Sequence, residues 1–367
     1  MRLGVAAAVV EGTLVRGDVE VEDGVVTGVG LPGHGRGVAI PGLVDLQVNG
    51  YGGVDVQRAE PGELVAMGQA LARDGVLWYQ PTVVSAPLEG MVDVLSSIGQ
   101  ALDRGTPARI LGAHLEGPFL SPGHAGAHPS EHLIRPGLDT LAALLLAGCR
   151  VTTVTLAPEL DDADEVLDAL VVRGILVSVG HTDATASVAH AAFDGGARAV
   201  THLFNAMRPF HHRDPGVAGV ALARDDVTVM LIADGVHVAP DAVLAAWRAA
   251  RGRVVLVSDA VAAVGAGDGV TTLGEREVFV ADGAARLADG TLAGSARPLS
   301  WGLRMLVELG VPVAEAADAV TRAPARLVGR PDAGLLCAGA PADLVVLDDA
   351  FAVDRVYVAG RELSGAG

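Results

Sequence analysis

Short apolar runs alternate with amphipathic stretches along most of the chain. Apolar positions with the length of buried strands occur at 43–47, 77–82, 110–113, 151–156, 175–179, 199–200, 229–233 and 254–257. Stretches with helical periodicity lie between them, at 62–74, 89–103, 138–146, 163–173, 184–194 and 241–251. Apolar strands that alternate with helices are typical of a parallel sheet covered on both faces. The pattern therefore predicts an α/β fold built on a (β/α)8 barrel of the TIM type.

The two ends of the chain have another pattern, of short strands separated by turns. Strand-like runs at 5–13, 18–21 and 25–29 precede the barrel region, and runs at 342–347 and 353–358 follow it. We expect them to pair into one small β-sandwich domain made of residues 1–40 and 335–367, with the barrel over 41–334. A hairpin-like insert near 275–292 follows the eighth strand. The sequence leaves open whether it lies near the site or in the small domain.

Four polar residues stand at the outlets of the predicted strands: Glu116, His181, His202 and Asp259. A closed parallel barrel brings the C-terminal ends of its strands together on one face, where the active sites of such barrels lie. Two imidazoles and a carboxylate form a three-ligand set for zinc that leaves one coordination position open. Asp259 is then the candidate general base. The pattern predicts a hydrolytic metal site.

Charge and residue usage exclude several other functions. The 26 basic and 44 acidic residues give a net charge of −18, which argues against a nucleic-acid partner. All the basic residues are arginine, so a Schiff-base lysine, a carbamylated lysine and a P-loop lysine are all excluded. An anionic substrate requires local arginine or histidine to overcome the acidic field.

The sequence favours a cytoplasmic protein without a membrane partner. No apolar run approaches the ~20 residues of a membrane span, and Glu11 interrupts the apolar N-terminal stretch before a signal peptide could be completed. Cys149 and Cys337 are too few for a disulfide framework.

An ordered set of motifs resembles the N-acetylglucosamine-6-phosphate deacetylases of the amidohydrolase superfamily. The entry motif is Pro41-Gly42-Leu43-Val44-Asp45. Further matching segments are 114–119 (HLEGPF), 156–159 (LAPE), 180–185 (GHTDAT), 201–207 (THLFNAM), 213–216 (RDPG), 232–237 (IADGVH), 292–295 (LAGS) and 323–326 (APAR). The resemblance covers about residues 41 to 347.

The resemblance implies hydrolysis of N-acetylglucosamine 6-phosphate to glucosamine 6-phosphate and acetate. By position, Glu116, His181 and His202 would hold one divalent metal ion per subunit, and Asp259 would shuttle the proton. The metal would polarise the acetamide carbonyl and activate water. His128 matches a histidine that holds or polarises the substrate carbonyl.

The resemblance also implies a set of substrate contacts and a homodimer. The matching positions are Ala127, His128, Asn205, Ala206, Arg213, Asp234, Gly235, Val236, His237, Leu292, Ala293 and Gly294. Arg213 matches a phosphate-binding arginine that serves either its own or a neighbouring subunit's site. Asp234 would contact the substrate or fix its loop.

One departure from the superfamily bears on the number of metal ions. Many amidohydrolases carry His-x-His after the first strand, whereas here Gln47 and Asn49 occupy those positions. Amide side chains are poor zinc ligands beside histidine. We therefore expect a mononuclear site, with zinc as the expected ion and iron, cobalt or manganese as alternatives, and Gln47 or Asn49 orienting a water molecule.

Two other functions stay open at this point. One is a mononuclear amidohydrolase that acts on another N-acylated or cyclic amide. The other is a non-catalytic relative that binds a sugar phosphate; retention of the three ligand-type residues together with Asp259 counts against it. Four further residues carry specific expectations: His114 is expected to be structural, Asp183 to cap the helix that follows it, and His211 and His212 to lie on a lid.

Overall fold

The computed structural model describes residues 1–365 and has an eight-stranded parallel barrel at its centre. The barrel strands are Leu43–Val48, Val76–Val84, Ala113–Glu116 (preceded by Arg109–Ile110), Val151–Leu156, Leu176–Val179, Ala199–Val200, Thr228–Leu231 and Val254–Leu256. Each pairs in parallel with its neighbours, and the first pairs with the second. The eighth strand is joined to the first only by a bridge between Val48 and Ala260 and by backbone hydrogen bonds beside it. The barrel is therefore nearly closed, as the sequence predicted.

Helices cover the outside of this barrel. They are Pro61–Arg73, Leu88–Arg104, Leu138–Leu145, Ala163–Val172, Ala186–Asp194, Gly216–Ala223, Pro240–Ala249, Leu299–Glu308, Val313–Asp318 and Arg322–Leu327. The second helix shows why they form. It buries Met91, Val94, Leu95, Ile98 and Ala101, the three- and four-residue spacing of one helical face. It ends at Gly105, whose φ of 70° is readily adopted by glycine. None of the helices described has the length and apolar character needed to cross a lipid bilayer.

The third barrel strand lies later in the chain than the sequence predicted. The run 110–113 was expected as the strand, but the strand that pairs with both neighbours is Ala113–Glu116. Gly112 interrupts it with a φ of 123°, in a region that residues with a Cβ rarely adopt. The strand therefore begins after Gly112, and Glu116 is its last residue and not a residue of the loop after it.

Gly112→Ala is expected to lower the free energy of unfolding by about 1–3 kcal/mol, the usual cost of backbone strain and overpacking. A Cβ at this position would lie 2.6 Å from Thr152 Cγ2 and 2.8 Å from the carbonyl oxygen of Arg150. Gly90→Ala is the matched control, since position 90 lies in a helix with no atom within 4 Å of the added Cβ. That change should leave stability equal or up to ~1 kcal/mol higher. The denaturant midpoints of the two variants are compared with that of the wild type. Equal midpoints for Gly112→Ala and Gly90→Ala would contradict the requirement for glycine at position 112.

Both ends of the chain contribute to one small antiparallel-rich sheet beside the barrel. Its order is Thr13–Arg16, Ala7–Val10, Val38–Pro41, Leu344–Leu347, Val353–Val358 and Arg361–Glu362. A hairpin of Asp18–Glu22 with Val25–Leu31 packs on it, through a separate buried apolar cluster that includes Val19, Val26 and Leu344. The predicted run 5–13 is two strands because the chain turns at Glu11-Gly12. The division into residues 1–40, 41–334 and 335–367 remains our proposal for the domain limits.

The insert after the eighth strand is larger than the predicted hairpin at 275–292. It is a four-stranded antiparallel sheet of Gly269–Leu273, Arg276–Ala281, Ala284–Arg286 and Leu292–Ser295. One face packs against Val84 and Val261 in an apolar cluster at the C-terminal end of the barrel. The insert therefore lies beside the face where the predicted site residues emerge, which decides between the two placements left open by the sequence. A short hairpin of Gly50–Tyr51 with Val54–Asp55 follows the first barrel strand.

Candidate active site

The four residues singled out at strand outlets meet at the C-terminal end of the barrel. Glu116 ends the third strand, and His181, His202 and Asp259 follow the fifth, sixth and eighth strands within three residues. All four are buried, with 3 to 8% of their surface exposed. Parallel strands end on one face of a barrel, so residues distant in sequence share one site.

Three of these residues have a left-handed backbone. The φ angles are 50° for His181, 30° for His202 and 51° for Asp259, a region in which residues other than glycine are uncommon. At each position the chain turns sharply as it leaves its strand. Such backbone conformations concentrate at functional sites, because the surrounding structure must hold them in place.

The side chains form a compact triangle of potential metal ligands. Oε1 of Glu116 lies 3.3 Å from Nε2 of His181 and 3.0 Å from Nε2 of His202, and the two nitrogens are 3.0 Å apart. A tetrahedral zinc ion with bonds of ~2.0–2.1 Å separates its ligand atoms by ~3.3–3.5 Å. The donor set and its dimensions therefore fit a divalent cation with only small adjustments.

His128 is a fourth imidazole in the cluster, and its hydrogen bonds distinguish it from a ligand. Glu116, His128 and His181 also place one ligand atom each within 4.8 Å of one another. However, Nδ1 of His128 accepts the backbone N–H of Ser85 at 3.2 Å, so in the neutral ring the proton is on Nε2. This Nε2–H lies 3.7 Å from Oε2 of Glu116 and is a hydrogen-bond donor, not a free lone pair.

His181 has the opposite arrangement. Its Nδ1 lies 2.9 Å from the carbonyl oxygen of His124, an acceptor that requires the proton on Nδ1. The lone pair of Nε2 is then directed at Glu116 and His202. An imidazole whose second nitrogen donates to a carbonyl is the usual arrangement of a metal-binding histidine. His181 belongs to both possible triads, so it is the hydrogen bond of His128 with Ser85 that favours Glu116, His181 and His202 over the triad that contains His128.

The pKa values in the cluster show its strong electrostatic coupling. Burial opposes ionisation of Glu116, but the neighbouring imidazoles of His128, His181 and His202 outweigh it and hold the pKa of Glu116 well below the usual value. Burial lowers the pKa of His181 to about 4. Burial also raises the pKa of Asp259 to about 6, and the charge of Glu116 adds to the rise. A buried carboxyl group of this kind can exchange a proton near neutral pH.

Gln47 and Asn49, which replace the His-x-His pair, each bind a carboxylate. Nε2 of Gln47 donates to Oε1 of Glu116 at 2.9 Å, and Nδ2 of Asn49 donates to Oδ1 of Asp259 at 2.7 Å. We had expected one of them to orient a water molecule. The structure shows that the amide nitrogens of both hold the ligand-type and base-type carboxylates, a role that the sequence did not indicate, while the orientation of a water molecule by one of them stays a prediction.

A cavity of about 450 Å³ opens over the cluster. Its lining includes Glu116, His181, His202 and Asp259 and, from the predicted substrate contacts, Ala127, His128, Asn205, Ala206, His237, Leu292 and Gly294. Lining residues that the sequence did not single out include Val84, Phe204, Leu273 and Arg286. The remaining predicted contacts, Arg213, Asp234, Gly235, Val236 and Ala293, do not line it. A larger cavity of about 870 Å³ lies at the opposite, N-terminal end of the barrel, far from these side chains.

Asp234 holds the loop that carries His237. Its Oδ1 accepts the backbone N–H of both Val236 and His237 at 2.8 Å, and its Oδ2 lies 2.7 Å from Nδ1 of His237. Burial opposes ionisation, yet these hydrogen bonds lower the pKa of Asp234 to about 2. The structure therefore gives Asp234 a positioning contact with His237, which directs that ring towards the cavity.

Arg213 lies on an exposed loop outside the cavity. Its Nη1 is 2.9 Å from Nε2 of His212, and the loop is closed by backbone hydrogen bonds between His211 and Asp214. Within residues 1–365 of one subunit, no contact brings its guanidinium to the cluster of Glu116. The phosphate contact implied for Arg213 stays a prediction.

Two smaller expectations have clear outcomes. His114 is fully buried, and its ring nitrogens lie at hydrogen-bond distance from the carbonyl oxygen of Leu46 and Oγ1 of Thr155, as a structural residue requires. The helix cap predicted at Asp183 is wrong. Thr185 caps that helix through the N–H of Val188.

Comparison with known proteins places this geometry in context. The model of the amidohydrolase family matches residues 38–363. The N-acetylglucosamine-6-phosphate deacetylase of Rattus norvegicus is 42% identical over 343 residues, which cover 89% of this chain and 83% of the relative. The N-acetylgalactosamine-6-phosphate deacetylase of Escherichia coli O157:H7 is 37% identical, over 96% of both chains. A mutant N-acetyl-D-glucosamine-6-phosphate deacetylase from Mycobacterium smegmatis, solved in complex with N-acetyl-D-glucosamine-6-phosphate, superposes with a TM-score of 0.93 at 36% identity, over 99% of this chain and 98% of that one.

Proposed function

This chain belongs to the amidohydrolase family, and from that premise we propose that it hydrolyses N-acetyl-D-glucosamine 6-phosphate to D-glucosamine 6-phosphate and acetate. Relatives and solved structures with this activity in their names match almost the whole chain. The observation that carries the proposal is the cluster of Glu116, His181 and His202 in one cavity with Asp259. We place the reaction in amino-sugar catabolism or recycling.

The family implies a divalent metal ion, and the donor set fits one. We propose that Glu116, His181 and His202 hold a single ion per subunit, because Gln47 and Asn49 leave no histidine pair for a second. Two imidazoles and one carboxylate suit Zn²⁺, and Fe²⁺, Co²⁺ and Mn²⁺ are the alternatives. When bound, the ion supplies a Lewis acid for the acetamide carbonyl and lowers the pKa of water.

Side chains of this protein then carry out proton transfer and stabilise the carbonyl oxygen. Asp259 accepts a proton from the attacking water on Oδ2, since Asn49 holds its Oδ1. As the carbon–nitrogen bond breaks, Asp259 gives the proton to the departing nitrogen. His128 directs its Nε2–H at the carbonyl oxygen, where it stabilises the negative charge that develops. The leaving amine therefore departs neutral as glucosamine 6-phosphate, and the oxygen and second proton of water stay on acetic acid, which ionises to acetate in solution.

A second candidate substrate is the galacto epimer. The relative from Escherichia coli O157:H7 that covers 96% of the chain is an N-acetylgalactosamine-6-phosphate deacetylase. The two sugars differ only at one ring hydroxyl, so the same cluster of Glu116 and Asp259 would act on either. We rank the gluco epimer first because more of the relatives act on it.

We propose that the protein is cytosolic and that it forms a homodimer. Cys149 and Cys337 are both free, which suits a reducing compartment. Homodimers are implied by the family resemblance of the sequence. Light scattering of the purified protein is expected to give a molar mass of twice that of the subunit. A molar mass of one subunit would overturn the proposal of a homodimer.

Removing the metal ion is expected to abolish acetate release from N-acetylglucosamine 6-phosphate, because the Lewis acid contributes several kcal/mol to the transition state. Chelator-treated protein, assayed before and after addition of one equivalent of Zn²⁺, should lose and regain activity. The galacto epimer and an N-acyl amino acid serve as comparison substrates. Full activity of the metal-free protein would exclude the mechanism, preference for the N-acyl amino acid would favour another amidohydrolase, and binding without acetate release would favour a non-catalytic relative.

A further inference from the structure

The cavity at the N-terminal end of the barrel, opposite the predicted active site, has a strongly basic lining. Its volume of about 870 Å³ is within the range of roughly 300–1,000 Å³ that is usual for small-molecule sites. Four arginines line it, and the only acidic residue among the lining residues described is Asp226. Since the protein as a whole has a net charge of −18, this positive charge is local, and an anion is the class of ligand that it favours.

Three of these arginines stand where adjacent barrel strands begin. Arg150 directly precedes the fourth strand, Arg173 lies three residues before the fifth, and Arg198 directly precedes the sixth. The fourth strand pairs with the fifth, and the fifth pairs with the sixth. Neighbouring strands lie about 4.7–4.9 Å apart. The three long side chains can therefore reach one anion between them.

The acidic residue and the fourth arginine of the cavity already have partners. Asp226 forms an ion pair with Arg224 at 2.8 Å. Arg326 forms one with Asp318 at 2.9 Å. Within residues 1–365 the other three arginines form no ion pair, and the side chain of Arg150 makes no hydrogen bond there either. The cavity thus has three guanidinium groups that are not neutralised by a carboxylate.

Two of the three guanidinium groups are held in place by backbone carbonyl groups. Nη1 of Arg198 donates to the carbonyl oxygens of Phe193 and Ala197 at 3.0 and 2.9 Å. Nη1 of Arg173 donates to the carbonyl oxygen of Ala169 at 2.7 Å. A guanidinium has five N–H donors, so each group is positioned by the protein and keeps donors for a ligand.

The cavity also has an apolar wall that is not fully buried. The wall consists of Leu145, Ile175, Leu176, Leu327 and Val328, each of which lines the cavity and is partly exposed. An organic anion would remove this apolar surface from water and gain the hydrophobic contribution, whereas an inorganic ion would leave it hydrated.

We propose that this cavity binds a small organic phosphate, with its phosphate group among Arg150, Arg173 and Arg198 and its carbon skeleton against the apolar wall. Three guanidinium groups without a counter-ion repel one another, and a bound anion relieves that repulsion. A phosphate offers about two negative charges and three acceptor oxygens, which match three arginines better than the single charge of a carboxylate. The inference goes beyond the proposed function, because none of the predicted metal ligands or substrate contacts lines this cavity.

The test is calorimetry of the holoenzyme with phenyl phosphate, inorganic phosphate and phenol at constant ionic strength. We expect phenyl phosphate to bind, inorganic phosphate to bind about tenfold more weakly for lack of an apolar group, and phenol to show no measurable binding. The double variant Arg150→Gln/Arg173→Gln should bind phenyl phosphate about 10- to 100-fold more weakly, the effect of losing charge-assisted hydrogen bonds. Arg16→Gln is the matched control, because Arg16 is an exposed arginine on the small sheet. Its affinity should equal that of the wild type.

Thermal unfolding shows whether a loss of binding reflects a loss of structure. Phenyl phosphate should raise the unfolding temperature of the wild type and of Arg16→Gln, because a ligand stabilises the state that binds it, and should leave that of the double variant unchanged. If the double variant does not fold, Arg150→Gln alone provides the test. It removes no hydrogen bond of the protein and should weaken binding about tenfold.

Four results would overturn the proposal. Equal affinities of the wild type and the arginine variants for phenyl phosphate would place the anion elsewhere, for example in the predicted active site. A wild type that binds neither phosphate would exclude an anion site. Inorganic phosphate that binds as tightly as phenyl phosphate would remove the role of the apolar wall. A change in molar mass of the double variant in light scattering would identify this surface as an interface between copies of the chain.

Discussion

Replacing Asp259 with asparagine is expected to lower kcat by about 10³- to 10⁴-fold, with the metal content unchanged. In the proposed mechanism this carboxylate accepts the proton of water and returns it to the leaving nitrogen, and removal of such a group commonly lowers the rate about 10²- to 10⁴-fold. Asparagine has nearly the same shape and keeps an oxygen for the 2.7 Å hydrogen bond from Asn49. The change therefore removes proton transfer and leaves the geometry intact. Acetate release and metal analysis of the same preparation measure both effects.

Asp183→Asn is the matched control for this prediction. Asp183 is also an acidic residue that follows a barrel strand beside a metal-type histidine, but it is half exposed and pairs with Arg208 outside the cavity. Its replacement should change kcat by less than about twofold. An Asp259→Asn protein that retains a tenth or more of wild-type turnover would remove Asp259 from the role of proton shuttle. Loss of metal from that variant would mean that Asp259 is a ligand.

The barrel and the cluster were predictable because both depend on short-range patterns. Strand-length apolar runs indicate parallel strands, and a parallel barrel assembles whatever follows those strands on one face. Glu116, His181, His202 and Asp259 could thus be grouped without any knowledge of distances. The fold is confirmed by the structure, whereas the chemical roles of these four residues are still predictions.

Features that depend on contacts between distant segments could not be predicted from the sequence. The amide of Asn49 meets Asp259 across 210 positions, and that of Gln47 meets Glu116 across 69. Their amide character indicated that a second metal ion was disfavoured and that one of them could orient a water molecule, but not that each binds a carboxylate. Arg286 was missed for a similar reason. Its neighbours 292–294 were recognised by their motif, but only the register of the insert shows that Arg286 shares their face. The displaced third strand followed from one glycine, Gly112, within an otherwise continuous run.

A pair of substitutions is expected to separate the metal ligands from the carbonyl donor. His202→Gln should lower metal affinity by more than about 100-fold, since loss of even an outer hydrogen-bond partner of a ligand typically costs 10- to 100-fold. His128→Ala should retain one metal ion per subunit and lower kcat by about 10²–10³, the usual cost of one oxyanion donor. The physical basis is the position of the proton on each ring. His128 accepts from the N–H of Ser85 and therefore carries its proton on the nitrogen that faces the site.

Metal titration and acetate release on both variants decide between the two possible triads. Glu116 and His181 belong to either set, so only the third ligand differs. If His128→Ala loses the metal and His202→Gln retains it, the ion is held by Glu116, His128 and His181, and the carbonyl donor must be sought elsewhere. The His114→Gln variant is a useful control. His114 is a buried imidazole of the same barrel with both ring nitrogens engaged away from the cavity. It should lose stability and keep its metal, because its ring lies outside the 3.0 to 3.3 Å triangle of Glu116, His181 and His202 in which we propose that the cation binds.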